Sequence, residues 1–313
     1  MKAIIVKESR ELALIDLPEP VPGPGQALVD VKAIGVGYVD VMAVRGGYVR
    51  FPGTGAVPGL EVVGRVRAVG RDVSEDLIGT EALALAAFGG YAEQIVAGAD
   101  RLLPTPSGAD PVDLVALGVN ALVAEGALHR TGVVAGDRAL VRGAGGGIGV
   151  LATQIARARG AEVTVVTSSR ERGERLRALG AAKVFDRTGA GLPDETYDLI
   201  VDTVGGPQLP EYLELPRPNG RYILIGGVGG SPGPEPFAPL LREFHKSVTF
   251  FTFSLNSLSP KDLRRSWDRV MTLSVEGDLS PVLDESFPLS DAATALRRVE
   301  RATPFGKVVL LPH

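Results

Sequence analysis

A glycine-rich octapeptide, RGAGGGIG at residues 142–149, lies between a predicted strand at 138–142 and a predicted helix at 148–159. Its glycines 143, 146 and 149 permit a tight turn, a close approach of the backbone to a pyrophosphate, and close packing of the helix on the strand. Unpaired N–H groups at the start of that helix favour an anion. Ala144 takes the place of the first glycine of the strict GxGxxG pattern. Because strand, turn and helix agree, the segment predicts a dinucleotide site rather than a glycine-rich turn without a ligand.

The end of the second predicted strand indicates which dinucleotide is favoured. Sites that prefer NAD carry Asp or Glu there to bond the ribose 2′-hydroxyl. This chain instead has Ser168 and Ser169, followed by Arg170 and Arg172. Hydroxyl and guanidinium donors suit a 2′-phosphate, so the segment predicts NADPH. The alternative is that both arginines are solvated residues at a helix start with acidic neighbours.

Composition removes several classes of chemistry. The chain of 313 residues has no cysteine, which excludes disulfides, thiolate nucleophiles, iron–sulfur clusters and cysteine-bearing zinc sites. Its three histidines, at positions 129, 245 and 313, lack the close spacing of a metal cluster. We therefore expect no catalytic metal.

Charge and hydropathy restrict the classes of partner and the cellular location that we expect. The net charge of −4 is spread along the chain without a basic block, which argues against nucleic acid. Charged residues near the N-terminus interrupt the apolar run that an export signal needs. Apolar stretches such as 82–88 are far shorter than the roughly 20 residues that span a bilayer. We expect a cytoplasmic protein with no membrane partner.

Hydrophobic periodicity predicts an α/β protein with two domains. The first hundred residues alternate short β-rich runs with Gly/Pro turns, and from about residue 111 strands and helices alternate, as parallel βαβ units require. The second region predicts a Rossmann-type doubly wound parallel sheet of six strands in the order 3-2-1-4-5-6. A terminal strand at 306–311 is expected to rejoin the first domain. The predicted domains are therefore 1–111 with 254–313, and 112–253.

Several further segments resemble the zinc-free, zeta-crystallin-like quinone oxidoreductases of the medium-chain dehydrogenase/reductase superfamily. These are AIGVGYVDVMAVRGGY at 33–48, PGLEVVGRVRAVG at 58–70, GGYAEQIVA, DLIVDTVGG, SFPLSDAATAL and PFGKVVLLP, in the family's order. The resemblance implies a GroES-like, mostly β catalytic domain beside the Rossmann domain. Zinc-dependent relatives carry a cysteine and a histidine where this chain has Gly37 and Leu60, although Glu61 remains. Neither replacement can ligate zinc, so the resemblance implies chemistry without that metal.

The resemblance also implies a set of site residues. Asn120 matches a position near the nicotinamide. The implied cofactor contacts are Gly146, Gly147 and Ile148 at the pyrophosphate, Ser168, Ser169 and Arg172 at the 2′-phosphate, Arg187 near the adenosine, Gly226 and Gly227 at the nicotinamide, and Lys307. On the substrate side, Gly37 and Met42 replace the family's asparagine and tyrosine, whereas Tyr48 keeps its match.

The function implied is NADPH-dependent reduction of a quinone by hydride transfer, which needs an oriented cofactor more than an activated side chain. Tyr48 is the candidate to hydrogen-bond or protonate the substrate oxygen, with Asn120 orienting the nicotinamide ribose or the substrate; alternatively, Tyr48 only packs at the cleft rim. Reduction of an enone or an enoyl thioester is a second possibility, for which Arg45 and Arg50 would supply a basic entrance. A third is an NADPH-binding protein without turnover.

The segment SVTFFTF at 247–253 predicts how copies assemble. It is expected to be the last strand of the parallel sheet, and it lacks a proline or a central charge that would protect an exposed edge. Relatives pair this edge across a two-fold axis. We expect a homodimer that extends the sheet through these residues. The alternative is an edge covered by the C-terminal segment.

Overall fold

A computed structural model describes residues 1–188 and 192–312, so His313 lies outside the described residues. Up to residue 131 the elements are β1 Lys2–Val6, β2 Leu12–Asp16, β3 Gln26–Val36, α1 Tyr38–Arg45, β4 Glu61–Val69, β5 Glu81–Leu85, β6 Gln94–Gly98, β7 Leu102–Pro104 and α2 Pro111–Thr131. The remainder are β8 Arg138–Arg142, α3 Gly147–Ala158, β9 Glu162–Thr167, α4 Arg170–Ala178, β10 Lys183–Asp186, β11 Tyr197–Asp202, α5 Leu209–Tyr212, β12 Pro216–Leu224, α6 Ala238–Arg242, β13 Thr249–Thr252, α7 Pro260–Val275, β14 Leu283–Pro288, α8 Ala292–Glu300 and β15 Lys307–Leu311.

The chain folds into two units whose limits differ from the predicted domains. Unit 1 comprises residues 1–119 and 281–313, and unit 2 comprises residues 120–280. Residues 254–280, which include α7 and were predicted to join the catalytic domain, fall in unit 2. Trp267 of α7 is fully buried, and Ser266 and Arg269 of the same helix bind Glu125 within unit 2. An amphipathic pattern identifies a helix, but it does not say which core that helix joins.

Unit 1 is built on a mostly antiparallel sheet with the strand order β14-β15-β3-β4-β5-β7, and β6 also pairs with β3. Alternating aliphatic residues of its strands supply the core, among them Ile34, Val62 and Leu310. β15 pairs antiparallel with β3, which confirms that the terminal strand rejoins the first domain. The predicted mostly β character of this part is thereby confirmed.

Unit 2 contains a six-stranded sheet in the order β10-β9-β8-β11-β12-β13, and every pair in it is parallel. This is the predicted 3-2-1-4-5-6 arrangement, with β13 at one edge. Leu140, Val165 and Ile200 are completely buried, as expected of strands in a parallel sheet. The strand order reverses between β8 and β11, and ligands of such sheets bind outside the carboxyl ends of the strands at that point.

One described helix, α2, has the length and hydropathy of a membrane-crossing segment. This stretch was not predicted from the sequence. However, 72% of the apolar window of α2 is buried inside the protein. Packing within the fold therefore accounts for its composition without a bilayer.

Glu125 provides a test of how α7 is held in unit 2. This carboxylate is completely buried and accepts hydrogen bonds from Arg269 at 2.5 and 2.8 Å, from Arg159 at 2.8 Å, and from the Ser266 hydroxyl. We expect Glu125→Ala to lower the free energy of unfolding by about 3 kcal/mol, because it leaves guanidinium groups unpaired in a largely desolvated site.

The matched control removes an exposed ion pair instead. Glu174 pairs with Arg170 at 3.1 Å, and the side chains are 60% and 92% exposed. Glu174→Ala should change the free energy of unfolding by less than about 0.5 kcal/mol. Urea unfolding, followed by circular dichroism, measures the free energy of unfolding of both variants. Equal losses in the two variants would show that the buried Glu125 contacts contribute no more to stability than an exposed ion pair.

Candidate functional site

The glycine-rich segment forms the predicted strand–turn–helix connection. β8 ends at Arg142, the turn closes through a hydrogen bond from the Gly146 N–H to the Gly143 carbonyl at 3.0 Å, and α3 begins at Gly147. No side chain caps α3 at Gly146, so the amide groups of its first turn are presented at the carboxyl edge of the sheet. This is the geometry that binds a pyrophosphate at a helix N-terminus.

The glycines of this turn are required for different reasons. Gly143 has φ of +75°, and a Cβ there would lie 2.1 Å from the Thr203 hydroxyl oxygen. A Cβ at Gly149 would lie 2.3 Å from the Gly143 carbonyl oxygen, so α3 packs directly on the turn. At Gly146 the added atom would meet only the Gly143 oxygen, at 3.5 Å. The backbone at Gly146 therefore has an open face that a ligand can approach and a side chain would obstruct.

The residues predicted at the 2′-phosphate lie at the end of β9 and the start of α4. Ser168 is exposed directly after β9, and Ser169 is the N-cap of α4, where its hydroxyl oxygen accepts the Arg172 N–H at 3.2 Å. The Arg187 N–H donates to the Thr167 carbonyl at 2.9 Å. Because β10 runs beside β9, Arg187 emerges next to Ser168. The structure thus brings both predicted serines, Arg172 and Arg187 to one edge of the sheet.

Gly226 and Gly227 follow β12 at the same edge. A Cβ at Gly226 would lie 2.2 Å from the Thr203 carbonyl oxygen, so this glycine allows the loop after β12 to pack on the loop after β11. At Gly227, no described residue apart from its two chain neighbours has an atom within 4 Å of the position that a Cβ would take. Together with Gly146, Gly227 offers exposed backbone to a flat or extended ligand. The described residues therefore fit a dinucleotide along the carboxyl ends of the strands.

A buried polar network that was not predicted from the sequence supports these loops. Asp202 is completely buried and accepts N–H groups of Val204 at 2.8 Å and Gly205 at 3.0 Å through one oxygen. Its other oxygen accepts Arg142 at 3.1 Å and the Tyr222 hydroxyl at 2.6 Å. Burial, followed by the charge of Asp202, raises the pKa of Tyr222, which keeps that hydroxyl a donor. The network fixes the ends of β8, β11 and β12.

The two predicted catalytic residues belong to different units. Tyr48 is half-buried in unit 1, and its ring meets Phe88 edge-to-face at 5.8 Å. Among residues 1–188 and 192–312, its hydroxyl has no hydrogen-bond partner. Asn120 is half-buried at the first residue of unit 2, within α2. Packing thus holds the Tyr48 ring and leaves its hydroxyl available, which agrees with both interpretations of that residue.

Lys307, which was predicted to contact the cofactor, is buried in unit 1 and paired there. Its side chain is 2% exposed, and its ammonium group forms an ion pair with Glu61, which is 3% exposed, inside unit 1. Asp40 and Tyr91 lie beside this pair; the Tyr91 hydroxyl donates to Asp40 Oδ2 at 3.2 Å, and so does the Gly37 N–H at 2.8 Å. Since the charge of Lys307 is neutralised within its own unit, we leave it out of the proposed cofactor site.

Asp40 gives this buried cluster a specific pH dependence. Burial raises the pKa of Asp40 from 3.8 to about 6, against the lowering effects of the Gly37 N–H, Lys307 and Tyr91. A folded-state pKa above the unfolded value means that the native state binds the proton more tightly. The contribution of Asp40 to stability is therefore greatest below the unfolded value and is lost as the pH rises through about 6.

We expect Asp40→Asn to remove this dependence. Relative to the parent protein, the variant should gain about 1.4 kcal/mol in free energy of unfolding between about pH 5 and about pH 8. Urea unfolding at both pH values measures the change, with exposed Asp100→Asn as a control that follows the parent. If the free energies of unfolding of Asp40→Asn and the parent differ by the same amount at both pH values, Asp40 does not titrate in this range.

No group of three or more His, Cys, Asp or Glu side chains is arranged to hold a metal ion in the part of the chain that the structure describes.

Comparison with known proteins places this fold and site in a family. Residues 23–107 match the alcohol dehydrogenase GroES-like domain, and residues 179–310 match the zinc-binding dehydrogenase family. A quinone oxidoreductase of Lama guanicoe is 32% identical over 95% of this chain and 92% of its own length. The chain therefore belongs to the quinone oxidoreductases of the medium-chain dehydrogenase/reductase superfamily, as the resemblance implied.

Two further relatives bear on the cofactor and the substrate. The quinone oxidoreductase of Thermus thermophilus, whose structures include a complex with NADPH, is 30% identical with a TM-score of 0.85, covering 99% of this chain and 100% of that one. A mycocerosic acid synthase-like polyketide synthase of Mycolicibacterium smegmatis is 29% identical over 96% of this chain. The chain spans 15% of the length of that synthase.

Proposed function

We propose that this oxidoreductase reduces quinones with NADPH and without zinc. The observation that carries the proposal is the carboxyl edge of the parallel sheet, where an open glycine turn lies beside a serine- and arginine-rich segment that lacks an acidic residue at the end of β9. Bound NADPH supplies the hydride. The amide groups at Gly146, Gly147 and Ile148 hold the pyrophosphate, and the exposed backbone at Gly227, next to Gly226, leaves room for the nicotinamide.

Recognition of the 2′-phosphate is assigned to Ser168, Ser169, Arg172 and Arg187. The hydroxyl of Ser168 is exposed, and that of Ser169 keeps its hydrogen for donation while its oxygen caps α4. Guanidinium groups supply charge-assisted hydrogen bonds to phosphate oxygens, each stronger than a neutral one. A 2′-hydroxyl would make none of these charged contacts, so NADPH is preferred over NADH.

Tyr48 and Asn120 carry the proposed contribution of side chains to catalysis. The Tyr48 hydroxyl hydrogen-bonds or protonates the substrate oxygen that gains negative charge as hydride is transferred. Asn120 orients the nicotinamide ribose or the substrate through an amide that both donates and accepts. Both roles suit a reaction governed by the orientation of the reactants.

The alternative substrate is an enone or enoyl thioester, and the likeness to a polyketide synthase favours it. A thioester of the CoA kind would need a basic entrance, which Arg45 and Arg50 were expected to provide. The structure places Arg45 in a two-pronged ion pair with Glu300, at 2.7 Å for both nitrogens. Its charge is neutralised there, which favours the quinone. A protein that binds NADPH without turnover remains the third hypothesis.

The test is NADPH and NADH oxidation by EDTA-treated protein with 1,2-naphthoquinone, followed by nicotinamide absorbance. We expect kcat/KM for NADPH to exceed that for NADH by about tenfold or more, since one charge-assisted hydrogen bond contributes roughly 1.5–3 kcal/mol. EDTA should not reduce the rate. Loss of activity on chelation would contradict a zinc-free reaction, and NADPH binding without turnover across a panel of acceptors would support the third hypothesis.

The homodimer through residues 247–253 also remains a proposal, and the surface next to β13 supports it. Within the described residues, β13 pairs with β12 and has no strand on its other side. Phe237 packs on Phe250 at 5.1 Å while remaining 44% exposed. Leu241 and Phe244 are each 78% exposed. An apolar surface beside an unpaired strand edge favours association of two copies.

We expect the double variant Leu241→Glu/Phe244→Glu to be monomeric at micromolar concentration, where the parent protein is a dimer. Placing carboxylates in an apolar interface opposes its desolvation. Val275→Glu, at a residue of unit 2 that is 81% exposed, is the control and should stay dimeric. Sedimentation velocity distinguishes the species, and a monomeric parent would refute the proposed dimer.

A further inference from the structure

Helix α2 is interrupted at Gly118, two residues before the predicted catalytic residue Asn120. Gly118 has φ of 32° and ψ of −136°, far from helical values. The N–H of Val119 therefore begins a new helical segment, and such a group has no acceptor within its own helix. It donates instead to Glu61 Oε2 at 2.6 Å.

Glu61 is fitted closely to this interruption. A Cβ at Gly118 would lie 2.1 Å from Oε2 of Glu61, and a Cβ at Gly35 would lie 2.6 Å from its carboxyl group. Glycine at both positions thus makes room for the carboxylate. The other oxygen of Glu61, Oε1, accepts a hydrogen bond from the buried ammonium group of Lys307. Strand β4 begins at Glu61 and strand β15 begins at Lys307. The sheet of unit 1 therefore places this ion pair beside the interruption in α2.

This arrangement is better suited to fixing geometry than to adding stability. Burying an ion pair removes water from both charges, and well-packed apolar residues of similar volume often stabilise a fold as well or better. What apolar residues cannot do is accept the Val119 N–H. A carboxylate there also carries the negative charge that favours a helix N-terminus.

We infer that Glu61, held by Lys307, is a positioning residue for Asn120. It fixes the backbone at 118–119, and thereby the direction in which the adjacent Asn120 side chain leaves the helix. The inference rests on the proposed function, since Asn120 must orient the nicotinamide ribose or the substrate. Lys307 is assigned the role of counter-charge to the buried Glu61 carboxylate, which a neutral glutamine at position 61 would not need.

Two double variants separate positioning from folding. Glu61→Ala/Lys307→Met removes both charges and the acceptor for Val119, whereas Glu61→Gln/Lys307→Met removes both charges but keeps an acceptor oxygen. We expect the first to slow single-turnover hydride transfer about tenfold or more, because small misplacements of orienting groups have large effects on rate. The second should stay within about threefold of the parent, and both should bind NADPH within about threefold of it.

Combining these changes with Asn120→Ala tests whether Glu61 affects hydride transfer through Asn120. If Glu61 acts through Asn120, adding Glu61→Ala/Lys307→Met to Asn120→Ala should slow transfer no further. Amide hydrogen exchange at Val119 should accelerate in the alanine variant and not in the glutamine variant, independently of activity.

Three results would overturn the inference: alanine and glutamine variants that are equally slow, losses that add fully to that of Asn120→Ala, or a parent-like rate in Glu61→Ala/Lys307→Met. An Asn120→Ala variant that transfers hydride as fast as the parent would also overturn the inference, because Asn120 would then need no positioning. That result would not contradict quinone reduction by the parent protein. Failure of the proposed function is seen separately, as a parent that does not reduce quinone; the variant rates are then compared with the acceptor that it does reduce.

Discussion

Gly146→Ala is expected to weaken NADPH binding about 100-fold while changing the free energy of unfolding by less than about 0.5 kcal/mol. The backbone at Gly146 has φ of −77° and ψ of 166°, which alanine adopts without strain. Its Cβ would meet only the Gly143 oxygen at 3.5 Å, an ordinary contact. The methyl group therefore fits the protein but occupies the face assigned to the pyrophosphate. Fluorescence titration with NADPH and urea unfolding measure the two effects.

Gly149→Ala is the matched control in the same turn. Its Cβ would lie 2.3 Å from the Gly143 oxygen and 2.6 Å from the Cα of Ala144, so the backbone must move to admit it. We expect a loss of about 2 kcal/mol in free energy of unfolding, as for other overpacked sites. If Gly146→Ala binds NADPH as tightly as the parent, the pyrophosphate does not lie against residue 146.

Ser168→Asp is expected to reverse the coenzyme preference. A carboxylate at the end of β9 repels a 2′-phosphate and can accept the ribose 2′-hydroxyl, as it does in sites that prefer NAD. We expect kcat/KM for NADPH to fall about 100-fold and that for NADH to rise several-fold, as measured by initial rates with one quinone. The residue is exposed, so the fold should tolerate the change.

Ser168→Asn is the control, because it has nearly the volume of the aspartate variant without its charge. Its kcat/KM for NADPH should fall less than about tenfold. Equal effects of Asn and Asp would mean that side-chain size, not charge, governs the preference. An unchanged preference in both variants would place the 2′-phosphate away from β9.

Much of the fold follows from local pattern. The change from short alternating strands to strand–helix alternation near residue 111 predicts two architectures, and the glycine-rich turn after β8 predicts where the parallel sheet binds its ligand. Secondary structure in the region 33–48 was harder to predict, because VDVMAV is rich in β-branched residues, which are typical of a strand, yet it lies in helix α1. Gly37 donates its N–H to Asp40 at 2.8 Å and Gly46 ends the helix with φ of +82°, and these local features outweigh propensity.

The contacts that the sequence could not predict are long-range and charged. Lys307 lies 246 residues from Glu61, and nothing in the segment GKVVL distinguishes a lysine that reaches a cofactor from one that forms a buried ion pair. Likewise, Asp202 ends a recognisable strand, but its partners Arg142 and Tyr222 come from two other strands. Two glycines flanking one carboxylate, Gly35 and Gly118, are evident only once the chain is folded.

The choice of acceptor tests the central proposal most directly. With NADPH saturating and EDTA present, kcat/KM is measured for 1,2-naphthoquinone and for crotonyl-CoA, separately and in competition. We predict a larger kcat/KM for the quinone. A larger value for crotonyl-CoA would contradict the proposed function and assign the same scaffold to reduction of an enoyl thioester.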